Sequence, residues 1–586
     1  MQTYNDIHQQ FASFFKSETL KPLAYLVSKK LAEGHICVDL NDIDEEADEL
    51  PPYYLAIDKA IKNIENDQLV TKDASNKQPF VLHQNRLYLQ RYFNYESAIL
   101  NRIEEFVAVE KSMESIRVQQ LTKNHEFIKQ LFNSTAGIIN WQLAAAVNSC
   151  INNFSIITGG PGTGKTTTVA KILGILFHLN GNLKVGLAAP TGKASARMAE
   201  SLKSAELDVS AHIKNKFQEI QPSTLHRLLG YIPDSPYFKH HADNPLNYDV
   251  IIVDESSMID AALFSKLLDA IGKETRLILL GDKNQLASVE AGSLFGDLCM
   301  APEQLNVFSP ERQTFINSFI NEAASQLIAP PVTSQHPLFQ HIVELRYSHR
   351  FNSEKGIGKF SSAVISNDVP KINQFINEQT DEQVFIDVDF NPSVFEKFVA
   401  GYEEYIKEPD ISLALAKLNQ LRVLCAIREG EQGLYLTNKK IEQYLVKKNL
   451  IKLDKEFYEN RPIIMNKNNY PLALFNGDIG IIRTDKNGVA RAYFENNDGV
   501  LPGLLSGVET VFAMTIHKSQ GSEFEQVLMV MPQSEGINIL TRELLYTGIT
   551  RAKSKVVLQA NANTILEASK AQVKRASGIN SRFLED

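Results

Sequence analysis

The stretch FSIITGGPGTGKTTTVAKIL, residues 154–173, runs from an apolar segment through a glycine-rich turn into a helical pattern. The turn has the spacing G-x-x-x-x-G-K-[ST] between a strand and a helix, which is the context that a phosphate-binding loop requires. In such a loop the backbone N–H groups face phosphate oxygens, and the following helix offers its N-terminus. We therefore predict a nucleoside triphosphate site that contains Gly159, Gly160, Pro161, Gly162, Thr163, Gly164, Lys165, Thr166 and Thr167.

Two residues of this loop, and an acidic pair further along, predict magnesium-dependent hydrolysis. Lys165 is placed to neutralise the β- and γ-phosphates, and Thr166 is placed to ligate Mg²⁺. The segment YDVIIVDESSMID, residues 248–260, supplies Asp254 and Glu255 after an apolar run. We expect Asp254 to hold Mg²⁺ through water and Glu255 to polarise the attacking water. The acidic pair and the loop together favour hydrolysis over simple binding.

A third polar cluster follows another apolar run. In LILLGDKNQLASVEAGSLFGDL, residues 277–298, Asp282 and Gln285 come directly after the predicted strand. Because parallel strands end at the same edge of a sheet, Gln285 is placed to sense the γ-phosphate. The alternative is that Asp282 only caps a helix. The residues alone leave both interpretations open.

The composition is typical of a soluble, multidomain, cytoplasmic protein. The chain has 586 residues, of which 44% are hydrophobic and 22% are charged, and this length corresponds to roughly three to four domains. We expect no membrane span and no signal peptide, because no long apolar run is present. The four cysteines form no CxxC pair, which argues against a zinc site or a disulfide framework. The net charge of −9 argues weakly against a nucleic-acid partner but allows a local basic channel.

The order of apolar runs predicts an α/β protein. From about residue 136 to 345, short apolar runs alternate with helical stretches, as in a parallel sheet covered by helices, and a second such region follows. A β-rich insertion is predicted at about 440–512, because β-branched residues and Asn-containing turns are frequent there. We expect a mainly helical N-terminal domain at 1–110, an ATPase domain at 111–345 and a second α/β domain at 346–586.

Eight ordered segments carry a resemblance to a known family. They are GGPGTGKTTT, LAAPTGKASARM, STLHRLLG, VIIVDESSMID, LLGDKNQLASVEAGSLFGDL, LRYSHRF, AMTIHKSQGSEF and LLYTGITRAK. Together they resemble the motifs of superfamily 1 DNA helicases over about residues 130–560, and their details are similar to the family of RecD subunits of RecBCD enzymes. The resemblance implies two RecA-like domains with P-loop chemistry, ATP and Mg²⁺ as cofactors, and an SH3-like character for the insertion.

The same resemblance assigns roles around the nucleotide. Arg350 and Arg551 match the two arginines that reach the γ-phosphate, where their planar donors stabilise charge in the transition state. Gln142 matches the glutamine that reads the adenine edge. Glu523 is expected near the ribose or near a coupling arginine, and the sequence does not choose between the two.

The resemblance also implies contacts to single-stranded DNA. Hydroxyls, helix N-termini and an imidazole after a strand suit phosphate contacts and stacking on unpaired bases. For His226 the alternative is a purely structural histidine. The residues expected at this interface are Thr191, Lys193, Arg197, Thr224, His226, Thr515 and His517.

The expected function is therefore that of an ATP-dependent DNA helicase with 5′→3′ polarity, acting in double-strand break repair and recombination. The resemblance implies single-stranded DNA at a duplex end as substrate, and RecB-like and RecC-like subunits as partners in a heterotrimer. Residues 1–110 are expected to dock onto a partner, or else to pack only against the motor. A nuclease site is expected in another subunit. An RNA helicase and a nonmotor P-loop ATPase switch remain as alternatives.

Overall fold

The computed structural model describes residues 6–43, 50, 54, 56–73, 77–132, 137–328, 332, 334–495, 499–533, 537 and 539–584. The helices in these ranges are α1 (Ile7–Ser13), α2 (Leu20–Ala32), α3 (Ile57–Asn63), α4 (Gln90–Lys123), α5 (His125–Leu131), α6 (Trp141–Ile151), α7 (Lys165–Leu179), α8 (Gly192–Lys203), α9 (Ala211–Glu219), α10 (Leu225–Leu228), α11 (Ala261–Ala270), α12 (Leu294–Met300), α13 (Pro310–Ser318), α14 (Gly356–Ile365), α15 (Val369–Glu378), α16 (Pro392–Val399), α17 (Glu403–Lys407), α18 (Ile411–Leu418), α19 (Leu434–Lys447), α20 (Arg542–Ile549), α21 (Ala562–Lys570) and α22 (Ile579–Arg582). The strands are β1 (Cys37–Asp39), β2 (Val70–Thr71), β3 (Phe80–His83), β4 (Arg86–Leu89), β5 (Phe154–Gly159), β6 (Val185–Ala189), β7 (Ser223–Thr224), β8 (Val250–Val253), β9 (Arg276–Gly281), β10 (Ile342–Leu345), β11 (Val384–Asp387), β12 (Leu421–Cys425), β13 (Pro462–Met465), β14 (Ile479–Thr484), β15 (Ala490–Phe494), β16 (Val508–Thr510), β17 (Ala513–Thr515), β18 (Phe524–Val530) and β19 (Ala552–Gln559).

The first large sheet defines what we call the first domain. Its strand order is β10-β5-β9-β8-β6-β7, and its strand pairs are parallel. Alternate residues of β5 enter two different apolar clusters, Ile156 on one face and Ile157 on the other. Both faces are thus covered, which explains why its strands are continuous apolar runs. The carboxyl ends of β5, β9 and β8 are neighbours, so the loops that follow them lie together.

The second large sheet defines the second domain. Its order is β11-β19-β18-β12-β17, again with parallel pairs. Its two faces are buried in two apolar clusters, with Met529 in one and Leu528 in the other. The α/β class and the two parallel-sheet domains are therefore confirmed.

The β-rich insertion is a separate small antiparallel sheet in the order β15-β14-β13-β16. Its own core includes Ile463, Met465 and Phe494. The predicted start of the insertion, residue 440, falls inside helix α19, and its strands span 462–510. Helix α19 packs on the second domain through the buried residues Ile441 and Leu445.

The N-terminal region contains helices α1–α3 and a small sheet in the order β1-β4-β3-β2. The aromatic pattern of the segment RLYLQRYFNYE, residues 86–96, predicts a strand, and the structure contradicts this prediction for the second half of the segment. Strand β4 ends at Leu89 and helix α4 begins at Gln90. The buried residues Phe93, Leu100 and Ile103 then follow at the spacing of one helical face. Helix α4 then continues to Lys123, so the expected boundary at residue 110 falls within it.

A C-terminal segment connects the second domain to the first domain and to the N-terminal region. Residues 571–584, here called the strap, leave helix α21 of the second domain. Ile579 and Phe583 of the strap are buried in an apolar cluster of the first domain. Arg86 of β4 donates to Ser581 Oγ at 3.1 Å, which places the strap against the N-terminal sheet as well.

The cysteines, the helix lengths and the potential metal ligands bear on the chain as a whole. The four cysteines are free and buried. Among the described helices, none combines the length and the apolar character that a bilayer-spanning segment needs. No group of three or more potential metal ligands from His, Cys, Asp and Glu occurs in the described part of the chain.

Candidate nucleotide site

The glycine-rich turn between β5 and α7 has the backbone geometry of a phosphate cradle. Gly162 and Gly164 have φ angles of +77° and +83°, a region that residues with a side chain rarely adopt. A Cβ on Gly164 would lie 2.2 Å from Gln142 Nε2, and one on Gly162 would lie 2.3 Å from Arg350 Cβ. Only glycine fits at these two positions, so N–H groups rather than side chains line the turn.

The acidic residues after β8 face the lysine of this turn. The pKa of Asp254 is raised to about 6, because burial and the negative charge of Glu255 raise it by more than the charge of Lys165 lowers it. Lys165 Nζ donates to the carbonyl oxygens of Gly159 and Gly160, at 2.7 and 3.3 Å. A half-buried carboxylate with a second carboxylate beside it is a site that a hard dication would stabilise. The residues present therefore fit Mg²⁺.

Glu255 has an unusual backbone conformation. Its φ of +52° lies in the left-handed region, which costs about 1–3 kcal/mol for a residue with a side chain and is concentrated at functional sites. The turn is held because Glu255 N donates to Asp254 Oδ1 at 2.8 Å and Met258 N donates to Glu255 O at 3.0 Å. The strained turn fixes both carboxylates at the end of β8.

The loop after β9, residues 282–292, is here called the sensor loop. Asp282 is 1% exposed, and its Oδ2 accepts hydrogen bonds from Gln285 Nε2 at 3.1 Å and from Tyr546 Oη at 3.0 Å. Burial raises the pKa of Asp282, and the charge of Lys165 lowers it. The next helix begins only at Leu294, so Asp282 does not cap a helix. It connects the sensor loop to the second domain.

Two further hydrogen bonds join the sensor loop to the second domain. Leu286 N donates to Thr547 Oγ1 at 2.9 Å, and Gln520 Nε2 donates to Leu286 O at 2.8 Å. The sequence alone assigned no role to Tyr546 or Thr547. Both lie within the segment LLYTGITRAK, which could have indicated them.

Glu523 lies between two arginines. Its Oε2 accepts from Arg350 Nη2 and from Arg197 Nη2, each at 2.8 Å. Burial raises the pKa of Glu523, but the charges of Arg197 and Arg350 outweigh it and lower the pKa to about 2. Of the two positions that the sequence left open for Glu523, the structure shows the one beside arginines.

Arg350 also lies against the phosphate loop. The preceding residues contact that loop, because His349 N donates to Gly162 O at 2.8 Å and Ser348 Oγ donates to Pro161 O at 3.0 Å. Within the described part of the chain, the buried Arg350 Nη1 has no hydrogen-bond partner. A buried donor without an acceptor is costly, and this one suits a phosphate oxygen bound in the adjacent loop.

Arg551 is the second predicted arginine, and it is 3% exposed. It donates from Nε to Thr547 O at 3.2 Å and from Nη1 to Ser522 O at 3.1 Å. Burial lowers the pKa of Arg551, while the charges of Glu255 and Glu523 raise it. Arg551 is thus held by carbonyl groups of the second domain and feels the charge of Glu255 in the first domain.

Gln142 lines a cleft beside the phosphate loop together with Trp141 and Thr163. Its Nε2 donates to Thr163 O at 3.1 Å, and Lys171 Nζ donates to its Oε1 at 3.4 Å. The guanidinium carbon of Arg346 lies 5.6 Å from the centre of the Trp141 ring. A planar base could enter between such groups, so this cleft suits the adenine.

The predicted DNA contacts fall into two groups. Thr191 and Thr224 accept hydrogen bonds from Ala194 N and Arg227 N at the starts of α8 and α10, so both hydroxyls cap helices. Their positions are close, since Ala189 of β6 pairs with Thr224 of β7. His226 is exposed, and its ring lies edge-on to Phe238, with the ring centres 5.7 Å apart.

The second group lies towards the second domain. The pKa of Lys193 is lowered to about 8, because of burial and, to a smaller extent, the charges of Arg422 and Arg197. Arg197 donates to Gly521 O at 3.1 Å as well as pairing with Glu523. Thr515 Oγ1 accepts from Lys518 N at 3.2 Å, and burial lowers the pKa of His517. Arg197 therefore contacts the second domain, a position that the sequence did not predict.

Comparisons with known proteins agree with this geometry. Residues 2–88 match the family model described as the RecBCD enzyme subunit RecD, N-terminal domain. Residues 142–291 match an AAA domain, and residues 510–559 match a UvrD-like helicase C-terminal domain. The RecBCD enzyme subunit RecD of Haemophilus influenzae is 33% identical over 559 residues, which cover 88% of this chain and 83% of that protein. This chain belongs to the RecD family.

Two further relatives are similar over most of this chain. The RecBCD enzyme subunit RecD of Mycobacterium tuberculosis is 32% identical and covers 95% of this chain and 89% of its own length. The ATP-dependent RecD2 DNA helicase of Deinococcus radiodurans is 27% identical over 70% of this chain and 47% of that protein. The resemblance stated from the eight segments is confirmed.

Proposed function

We propose that this RecD family chain is an ATP-dependent DNA helicase and a subunit of a RecBCD-type enzyme. The observation that carries the proposal is Arg350, which touches the phosphate loop while its guanidinium is bound to Glu523 beside Arg197. A group in this position changes partners when a nucleotide binds or leaves. The site is therefore suited to convert hydrolysis into movement between two domains.

The hydrolytic step follows from the residues around the loop. Thr166 and Asp254 would hold Mg²⁺, which would supply positive charge to the phosphates. Glu255 accepts a proton from water as the water oxygen bonds to the γ-phosphorus, and the bond from that phosphorus to the bridging oxygen of ADP breaks. Lys165, Arg350 and Arg551 stabilise the charge that develops on the phosphate oxygens.

Coupling to DNA uses the contacts between the domains. Gln520 and Thr547 hold Leu286 of the sensor loop, so a change at Asp282 or Gln285 reaches the second domain directly. We assign Thr191, Lys193, Thr224, His226, Thr515 and His517 to the path of the DNA. Arg197 is assigned to coupling, because its two hydrogen-bonding contacts go to Gly521 and Glu523. Opening and closing of the cleft would then move the strand in steps.

The direction of movement and the partner subunits are inferred from membership of the RecD family. We infer 5′→3′ movement on single-stranded DNA at a duplex end, in double-strand break repair and recombination in the cytoplasm. RecB-like and RecC-like subunits complete the heterotrimer and supply the nuclease. The N-terminal region is the docking element, and α4 carries it on one continuous helix into the first domain.

Unwinding of tailed duplexes tests the proposal. The full chain, alone and co-expressed with RecB-like and RecC-like subunits from the same genome, is given ATP, Mg²⁺ and duplexes with a 5′ or a 3′ single-stranded tail. The Lys165→Gln variant serves as the control without hydrolysis. Unwinding that starts from the 5′ tail supports the proposal, and unwinding only from the 3′ tail contradicts the polarity. ATPase stimulation by RNA but not DNA would favour an RNA helicase, and DNA-independent turnover without movement would favour a switch.

A further inference from the structure

Three distant segments meet beside the sensor loop. They are the turn of residues 34–36 in the N-terminal region, residues 288–292 of the sensor loop and residues 575–576 of the strap. We call this meeting point the junction. None of the catalytic roles described above involves it, yet it joins the N-terminal region to the loop that carries Asp282 and Gln285.

Arg575 is the centre of the junction. Its Nη2 donates to Ser288 O at 2.6 Å, and its Nη1 donates to Ser288 Oγ at 3.3 Å and to Glu290 O at 3.2 Å. The single O–H group of Ser288 in turn has two acceptors within reach, Glu290 O at 2.9 Å and Gly292 O at 3.0 Å. A planar guanidinium can satisfy several acceptors in one fixed arrangement, so Arg575 fixes the shape of this part of the loop.

Backbone hydrogen bonds close the junction on its other sides. Gly292 N donates to Gly34 O at 2.9 Å, and Ile36 N donates to Ala576 O at 3.1 Å. Ala576 N donates to His35 Nδ1 at 3.0 Å. Each of the three segments is thus bonded to the other two, and none can shift without breaking a bond to a neighbour.

Gly34 makes this arrangement sterically tight. Its φ is +94°, and a Cβ built on it would lie 2.7 Å from Arg575 Cζ and 2.8 Å from Arg575 Nε. A methyl group at residue 34 would therefore displace the guanidinium from Ser288. This provides a way to disturb Arg575 from the N-terminal region without changing the arginine.

The junction is linked by hydrogen bonds to the ATP site on one side and to helix α4 on the other. The sensor loop is bonded at Leu286 to the second domain and at Asp282 to Tyr546. On the other side, strap residue Arg582 Nη1 donates to the buried Glu96 Oε1 of α4 at 2.8 Å, and Gly578 N donates to Glu96 Oε2 at 2.9 Å. A displacement of the N-terminal region can therefore reach the ATP site through a continuous set of hydrogen bonds.

We propose that Arg575 is a positioning residue for ATP hydrolysis, and that the junction lets the N-terminal region set the position of the sensor loop. The proposal rests on the proposed helicase function. It makes the N-terminal region a regulator of turnover as well as a docking element. An N-terminal partner that moves the turn of residues 34–36 would change the hydrolysis rate without touching the nucleotide.

The test compares Arg575→Ala, Arg575→Lys and Gly34→Ala with a matched control, Lys574→Ala, whose side chain is exposed. DNA-stimulated ATP hydrolysis is measured on the full chain co-expressed with its partner subunits, and kcat is expressed per site that binds a fluorescent ADP analogue. Small misplacements of groups near a reacting centre cost up to about 100-fold in rate. We expect kcat to fall about tenfold to 100-fold in Arg575→Ala and Gly34→Ala, with the KM for ATP changed less than about threefold.

Further readouts separate positioning from a loss of folded protein. Normalising to binding sites removes unfolded molecules from kcat, and Arg575→Lys should recover part of the rate because one donor to Ser288 O remains possible. The Arg575→Ala and Gly34→Ala double variant should be no slower than the slower single variant, since both remove the same contact. An active wild type together with unchanged kcat in Arg575→Ala and Gly34→Ala would overturn this inference alone. A wild type without DNA-stimulated hydrolysis would overturn the proposed function and this inference with it.

Discussion

Replacing Glu523 with glutamine removes the charge that holds two arginines together while keeping the size of the side chain. Arg350 and Arg197 both donate to Glu523 Oε2 at 2.8 Å. Although burial raises the pKa of Glu523, the two arginines lower it from 4.5 to about 2. At about 1.4 kcal/mol for each pH unit, the ionised form is favoured in the folded protein by about 3 kcal/mol.

The lowered pKa of Glu523 determines how its contribution to stability depends on pH. Because the pKa of Glu523 is lower in the folded state than in the unfolded state, its stabilisation is fully present above about pH 4.5 and is lost as the pH falls towards 2. At pH 7 we expect Glu523→Gln to lower the free energy of unfolding by up to about 3 kcal/mol, or the melting temperature by about 6–12 °C for a domain of this size. The difference from wild type should shrink as the pH is lowered from 4.5.

Differential scanning calorimetry at pH 7, 4 and 3 measures this difference, with ATP hydrolysis measured at pH 7 in parallel. Glu525→Gln is the matched control, since Glu525 lies two residues away and its side chain is exposed. We expect Glu523→Gln to lower kcat as well, because Arg350 loses the charged acceptor that orients it. Equal melting temperatures for Glu523→Gln and wild type at pH 7 would refute the reasoning that this carboxylate stabilises the contact between the domains.

Three further predictions concern the chemistry. Lys165→Gln should abolish hydrolysis and unwinding with little change in melting temperature, and normal DNA-stimulated turnover in that variant would contradict the assignment of the nucleotide site. Arg350→Ala and Arg551→Ala should still bind ATP but lose turnover by on the order of 10³ or more, because such arginines act as charge develops in the transition state. A binding titration and a kcat measurement on each variant check this prediction. Normal hydrolysis in either variant would show that its arginine is only structural. The isolated chain should show no metal-dependent cleavage of end-labelled DNA, and cleavage that disappears when one of its own carboxylates is replaced would show the opposite.

The phosphate loop and the polar residues after β8 and β9 could be predicted because each motif is local in sequence, whereas Gln142, Arg350 and Arg551 were assigned from the family resemblance. Buried parallel strands are continuous apolar runs, and their loops carry polar residues directly after them. Asp254 and Asp282 were placed correctly at the ends of β8 and β9 by this pattern alone. The neighbouring order of β5, β9 and β8 then brings the loops together.

The remaining features depend on contacts that no local pattern reveals. The aromatic run after Leu89 is compatible with a strand or a helix, and the burial of Phe93, Leu100 and Ile103, which lie on the same helical face, decides for α4. No residue close to Arg197 in the sequence indicates that its side chain pairs with Glu523. The strap has no motif at all, and its partners such as His35 and Glu96 lie 541 and 482 residues away in sequence.

The contact between Glu96 and Arg582 spans 486 residues of sequence, and this has a consequence during protein synthesis. At 5–20 residues per second, about 25–100 s pass between the appearance of Glu96 and that of Arg582 on the ribosome. Throughout this interval Tyr88 Oη, which donates to Glu96 Oε1 at 3.2 Å, is present, but the donors of the strap are not. The surroundings in which Glu96 is 1% exposed can therefore form only after translation has passed the strap.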